Sequence, residues 1–206
     1  MLTLSTRSGQ MAAMLGTRDR LINAAARLLD QGGPGAVTLR AVGAAAGVSH
    51  NAPYRHFADK DALLAAIAAR ELARQGANLV QAGGSAIDVR TMLQGYVRWA
   101  KRYPERFHLT FGRWEREDAE LADAAGGARG AFNAAVAAAQ TSGELPTGDP
   151  ERLASLLLAL AHGAADLALA GHLSGPGKGG ADAEDLVADL FAYLHASLSG
   201  RTGAGR

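Results

Sequence analysis

A chain of 206 residues is long enough to bury a real apolar core, as one domain or as a small domain joined to a larger one. It contains no cysteine, which excludes a disulfide framework and any thiolate metal site and suits a reducing cytoplasm. Its 21 Lys and Arg against 20 Asp and Glu give almost no net charge, but the distribution is uneven. Residues 1–76 carry nine basic and five acidic side chains, net +4, and the rest carry twelve and fifteen, net −3. A basic first third on an acidic remainder fits a phosphate-binding head on a body that does not touch phosphate.

Residues 1–16 mix Ser, Thr, Gly, Met and Arg without an apolar segment, so they do not read as a secretory signal. They are expected to form a disordered arm, with Met11 or Met14 as alternative starts. From there almost every periodic segment reads as helix, and strand-like alternation is missing. Residues 18–29 place Leu21, Ile22, Ala25, Leu28 and Leu29 on one stripe, and the run from Gln31 to Gly35, with Pro34, ends it. Thr38 caps a short helix whose Leu39, Val42 and Ala46 make an apolar face. Gly47 is free to take a positive φ and end that helix. Ser49 is then expected to cap the next helix, with Pro53 in its first turn. Two short helices meeting at Gly47, Val48 and Ser49 read as a helix-turn-helix. The second carries His50, Asn51, Tyr54, Arg55 and His56, a polar set that fits the major groove. Asn and Arg read base edges there, while Ser, Tyr and Lys mostly hold phosphates.

Further on, residues 60–74 put Leu63, Leu64, Ile67 and Leu72 on one face and link head to body. Gly83, Gly84 and Ser85 break the chain, placing a domain boundary near 77–85. Residues 88–102 form the next helix, and Pro104 opens a short one ending near Phe111 and Gly112. Residues 114–140 are expected to be helical but interrupted at Gly126 and Gly127, each costing about 1 kcal/mol relative to alanine. A loop at 141–149 precedes two final helices, 150–173 and 181–198, joined by a glycine-rich linker; 201–206 is expected to be a frayed tail. Their stripes are Leu153, Leu156, Leu157, Leu160, Ala164, Leu167 and Leu186, Leu190, Phe191, Leu194, Leu198. Residues 153–173 are long enough to suggest a membrane span. His162 and Asp166 lie near the middle, and a carboxylate at bilayer depth costs roughly 2.5–3.5 kcal/mol. A buried interface helix is the better account, so no membrane contact is expected.

Residues 17–68 resemble the DNA-binding domain of TetR-family transcriptional regulators. The resemblance is carried by the first helix, Gly33, Pro34 and Gly35, Thr38 and Leu39, the run from Ala44 to Ser49, Tyr54 to Phe57, and Lys60 to Leu64. It implies an all-α fold: a three-helix head with the helix-turn-helix (17–77) and a larger helical ligand-binding and dimerisation domain (78–200). It also implies that Thr38 and the Tyr54 hydroxyl touch phosphates. Lys60 opens a helix whose amides favour an anion, so a phosphate contact is expected there too. The DNA-contact set is Thr38, Arg40, Ser49, His50, Asn51, Pro53, Tyr54, His56 and Lys60, with His50 and Asn51 the candidates for bases; Phe57 is core. The last two helices imply a four-helix homodimer interface. The body further resembles the WHG type of TetR-family domain, through Tyr96 to Ala100, Tyr103, Pro104, Phe107 to Phe111, and Ala161, His162 and Gly163. The tryptophan usual before His-Gly is absent here.

Trp99, Tyr103, Phe107, Phe111 and Trp114 cluster in sequence within the body, with His162 and Asp166 four apart on one later helix face. They are the candidate lining for an apolar or aromatic small molecule, although aromatics at this spacing also serve as core. His162, Asp166 and His172 do not make the compact set that zinc requires, and no cofactor is implied. No catalytic constellation is present: the glycines at 32–35 follow no strand and lack the Lys-Ser/Thr pair, and no serine sits in a nucleophile motif. The resulting expectation is a cytoplasmic, dimeric, non-enzymatic regulator, a repressor released from its double-stranded operator by a small ligand. The alternatives are an activator of the same fold, since the sign depends on operator position, and a helical interaction module without DNA binding.

Overall fold

The computed structural model describes residues 16–82, 88–115, 117–174 and 180–203, the side chains of 79–82 and 197–203 excepted. Most of the expected arm, the break at Gly83 to Ser85, the linker core at 175–179, the end of the tail and Leu198's place on its stripe lie outside that description. The described secondary structure is helical throughout, with no strand among the described residues. In chain order the helices are α1 (Thr17–Ala36), α2 (Leu39–Ala45), α3 (Ala52–His56), α4 (Lys60–Ala82), α5 (Val89–Arg102), α6 (Pro104–Thr110), α7 (Ala119–Thr141), α8 (Pro150–Leu169) and α9 (Ala183–Gly203).

The helix ends follow from local chemistry. The run expected to end α1 kinks it instead: Gly32 (φ −150°) and Gly33 (φ 63°) leave helical geometry before Pro34, and the helix resumes to Ala36. Thr38 Oγ1 accepts from Ala41 N at 3.1 Å and starts α2. Gly47 takes φ 63° after α2, and the Arg20 guanidinium donates to the carbonyls of Ala46 (2.8 Å) and Gly47 (3.3 Å). The expected cap by Ser49 is not how α3 begins. Asn51 already has helical φ and ψ at the N-cap, so the turn is held by the main chain, Ala52 N donating to Ser49 O at 3.0 Å. Pro53 lies in the first turn as expected.

α4 runs eight residues past the expected Arg74. Asp59 caps it through Ala62 N (2.8 Å), and Gly76 lets it pass close to α7, since a Cβ there would stand 3.3 Å from Ala128 Cα. α7 differs twice from the sequence expectation. It begins at Ala119, with Asp118 accepting from Leu121 N, so Trp114 is not helical. It also continues unbroken through Gly126 and Gly127. Nothing lies within 4 Å of where their Cβ atoms would be, so no neighbour forces the backbone aside, and the surrounding alanines carry the helix. α8 ends at Leu169, short of 173, in a Schellman motif: Gly171 (φ 69°) donates to Ala168 O and His172 N to Leu167 O at 2.8 Å. α9 starts at Ala183, two residues later than expected, with Asp182 accepting from Glu184 N.

The chain forms two compact units, each assembled from separate stretches. The first comprises residues up to Leu72 with Glu105–Ala124; the second comprises Ala73–Pro104 with Ala125 onward. In the first, Leu21, Ile22, Leu29, Val37, Val42, Phe57, Leu63 and Ile67 form one buried cluster, with Leu109 and Trp114 packed on it. Burying each large aliphatic side chain stabilises the unit by roughly 1.5–3 kcal/mol. In the second, α5, α8 and α9 pack together around Leu93, Val97, Leu157, Val187 and Phe191.

The close approach of α2 to α3 is the tightest demand on this packing. A Cβ on buried Gly43 would meet Pro53 Cγ at 2.9 Å, and a proline ring cannot swing away. Gly43→Ala is therefore expected to destabilise the first unit by about 1–3 kcal/mol through overpacking, while Thr38→Ala costs about 1 kcal/mol through the lost cap. Chemical denaturation of both variants checks the order of the two effects.

Candidate functional site

Burial divides α3 cleanly. Pro53 and Phe57 face inward, whereas Ser49, His50, Asn51, Tyr54, Arg55 and His56 are all exposed. An exposed, half-apolar Tyr54 has no packing reason to stand in water, and its ring meets only the edge of His50 at 5.9 Å. Thr38 and Arg40 are exposed on α2, and Lys60 is partly exposed at the first turn of α4. Pro53 is the exception in the expected contact set: it is buried against Gly43, so its part is to seat α3.

The motif is held from behind by residues that periodicity did not single out. Arg20 ties α1 to the turn, as described above. Arg18 lays its guanidinium 5.5 Å from the Phe57 ring centroid and pairs with Glu120. Arg70 of α4 bonds Asn23 Oδ1 (2.8 Å) and pairs with Asp19 of α1. Basic residues on a basic head read first as phosphate contacts, and only the fold reveals that these three face inward.

The expected aromatic cluster is divided between the two units. Phe107, Phe111 and Trp114 belong to the first. Phe107 is buried, 5.7 Å from the Phe111 ring; Phe111 is exposed; and the Trp114 Nε1 is buried with no hydrogen-bond partner among the described residues. A cavity of about 480 Å³ opens beside Trp114 and is rimmed by Asp59, Asp61 and Glu105. Trp99 and Tyr103 belong to the second unit, Tyr103 closing α5 under the Arg102 guanidinium.

His162 and Asp166, expected as a buried polar pair, part company. Asp166 is exposed on α8. His162 Nδ1 lies 2.8 Å from the hydroxyl of Tyr96. Burial pushes the Tyr96 phenol above its ordinary pKa, so it keeps its proton. Trp99 stands next to Tyr96, ring centroids 6.0 Å apart. The second unit thus brings together Tyr96, Trp99 and His162, an apolar group with one polar pair. The sequence signal for Tyr96 was its place one turn before Ala100 on the helix, too common a pattern to stand out.

Residues 21–67 match the family model described as bacterial regulatory proteins of the tetR family, and residues 89–194 match the tetracyclin repressor-like C-terminal domain. The second match alone spans half of the chain. The protein belongs to the TetR family. TetR-family proteins are DNA-binding transcription regulators. No curated protein sequence matches this TetR-family chain. A protein of unknown function from Rhodococcus sp. RHA1 is similar in structure, with TM-score 0.71, 28% identity, and 87% of this chain and 94% of that one covered. The transcriptional regulator FadR from Bacillus subtilis, solved in complex with stearoyl-CoA, shares the fold at TM-score 0.62 and 14% identity, covering 85% of this chain and 96% of its own. SmeT, solved with triclosan, does so at TM-score 0.60 and 22% identity, with 89% and 90% covered.

In this TetR-family regulator the Tyr96 to His162 bond joins α5 to α8. Tyr96→Phe keeps the ring and removes the hydroxyl, and is expected to cost about 1 kcal/mol. Calorimetry should register this as a fall of roughly 2–4 °C in the melting midpoint. An unchanged midpoint would mean that the pair does not hold the fold.

Proposed function

We propose that this regulator is a homodimeric repressor that leaves its operator when a small apolar or aromatic molecule binds the body. The DNA-contacting part is 17–77, and 78–200 serves ligand binding and dimerisation. The observation that carries the reading is the division of α3, whose polar side chains all face out while Pro53 and Phe57 face in. Arg40, His50, Asn51 and Arg55 supply groups that read base edges, and Thr38, Ser49, Tyr54, His56 and Lys60 supply phosphate contacts. A dimer grips two half-sites when its recognition helices stand about 34–36 Å apart. Ligand binding that favours another separation lowers DNA affinity by linkage.

Two features of the second unit support assembly. Leu156 (62% exposed) and Leu167 (44% exposed) lie three helical turns apart on one side of α8, and Tyr193 (74% exposed) stands out from α9. Burial of this face against a two-fold copy removes apolar surface from water. α8 is long and apolar enough to cross a membrane by length and composition, with mean hydropathy 1.4. Its other face packs on α5 and α9. A cytoplasmic dimer accounts for its apolarity without a bilayer. The ligand class is supported by Tyr96, Trp99 and His162, a mostly apolar group with a directed polar pair. The stearoyl chain of the stearoyl-CoA bound to FadR is apolar, and the triclosan bound to SmeT is aromatic.

Selection of bound fragments from random DNA should recover paired half-sites. On those sites Lys60→Ala is expected to weaken binding to all sequences and reduce the salt slope by about one unit. Tyr54→Phe should also weaken binding uniformly, whereas replacing Asn51 should change sequence preference. Unaltered affinity and salt dependence in the first two would falsify the assignment. Assembly has its own test in Leu156→Glu. Because Leu157 is buried within the subunit and Leu156 is not, this substitution should yield folded monomers in sedimentation; a mass equal to wild type refutes the interface.

A further inference from the structure

The polypeptide passes between the two compact units at three points: after Leu72 within α4, after Pro104 at the start of α6, and after Ala124 within α7. Two of these crossings are flanked by members of one ionic group inside the first unit. Arg106, two residues beyond Pro104, presents a fork to Asp30 of α1, with Nε to Oδ1 at 2.8 Å and Nη2 to Oδ2 at 2.6 Å. Its Nη1 donates to Glu71 Oε1 at 3.0 Å, and Glu71 immediately precedes the crossing in α4. Glu71 is 4% exposed, one of two buried polar residues in the described core.

Burial works against the Arg106 charge, but the hydrogen bond to Asp30 and the attraction of both carboxylates outweigh it and raise the guanidinium pKa. Such a group is a weak device for stability, because an apolar core of the same volume does as well or better. Its distinctive property is geometric. A planar guanidinium meets a carboxylate in a fixed fork, whereas apolar contacts let helices slide. Arg106 therefore fixes three helices at one point: α1, which carries the motif's support, and α4 and α6, next to where the chain leaves for the second unit.

We propose that Arg106 is a positioning residue for DNA recognition, fixing with Asp30 and Glu71 how the helix-turn-helix is held where the chain passes to the dimer-forming unit. The consequence is selectivity for half-site spacing. This rests on the dimeric DNA-binding reading above.

The test uses the full chain and the half-sites recovered by selection, re-spaced by one or two base pairs in either direction. Three variants are compared with wild type: Arg106→Lys, which keeps the charge beside Glu71 but loses the fork; Asp30→Asn, at a partly exposed position; and Arg106→Met combined with Glu71→Gln, which strands no buried charge. Each should keep the wild-type half-site preference and salt slope. Each should lose discrimination between spacings, on the order of fivefold or more. Wild-type spacing discrimination in the folded variants overturns the proposal while leaving the DNA-binding reading intact. So does uniform weakening at every spacing in step with a lowered melting midpoint, and so does failure of all three to fold. A wild-type chain that selects no paired sites overturns the DNA-binding reading and this inference together.

Discussion

The distance of closest approach between α2 and α3 governs what the first unit presents to a duplex. At Gly43 the two helices meet with room for a hydrogen atom and no more, the Pro53 ring filling the space where a methyl group would lie. With that contact made, Gly47 at φ 63° turns the chain, Arg20 quenches the carbonyls left open at the end of α2, and α3 has one orientation available. The exposure of His50, Asn51, Tyr54 and Arg55 is a consequence of this orientation. A flexible motif would present the same side chains in many poses and lose affinity to the entropy of ordering them.

This part of the fold was legible because its determinants are local and steric. A glycine that must turn, a proline confined to a first turn and a threonine that caps a helix each act within four residues of themselves. The misreadings share the opposite cause. Ser49 looked like a cap because its side chain suits one, but the main chain is already helical at Asn51, where the cap sits. Gly126 and Gly127 looked like a break because propensity disfavours them, yet nothing packed nearby exploits the freedom they offer. The extra turns of α4 depend on Gly76 meeting Ala128, more than fifty residues away. No window on the sequence contains both.

The aromatic residues illustrate a second limit. Trp99 to Trp114 lie within sixteen positions, and nearness in sequence passed for nearness in space. The chain changes units after Pro104, so Trp99 and Phe107 serve different cores. Tyr96 was absent from the candidate lining for the complementary reason. Its partner His162 lies sixty-six residues on, and only the packing of α5 on α8 brings a phenol and an imidazole within 2.8 Å. For a regulator of this type, the surface that meets DNA is written in short-range chemistry. The grouping of Tyr96, Trp99 and His162 is written in tertiary contacts, which a single sequence does not display.

The assembly of the first unit from two separated stretches bears on how such proteins diversify. The exposed polar side chains of the helix-turn-helix come before residue 60, but Leu109 and Trp114 cover the core of the same unit, and Arg106 and Glu120 reach back to α1. A recombination event that joined a new body after residue 77 would discard the segment from Glu105 to Ala124 and uncover that core. Exchange between relatives is therefore restricted to partners that bring a compatible insert of their own. The two units of this chain must change together, residue by residue, and cannot be traded as cassettes.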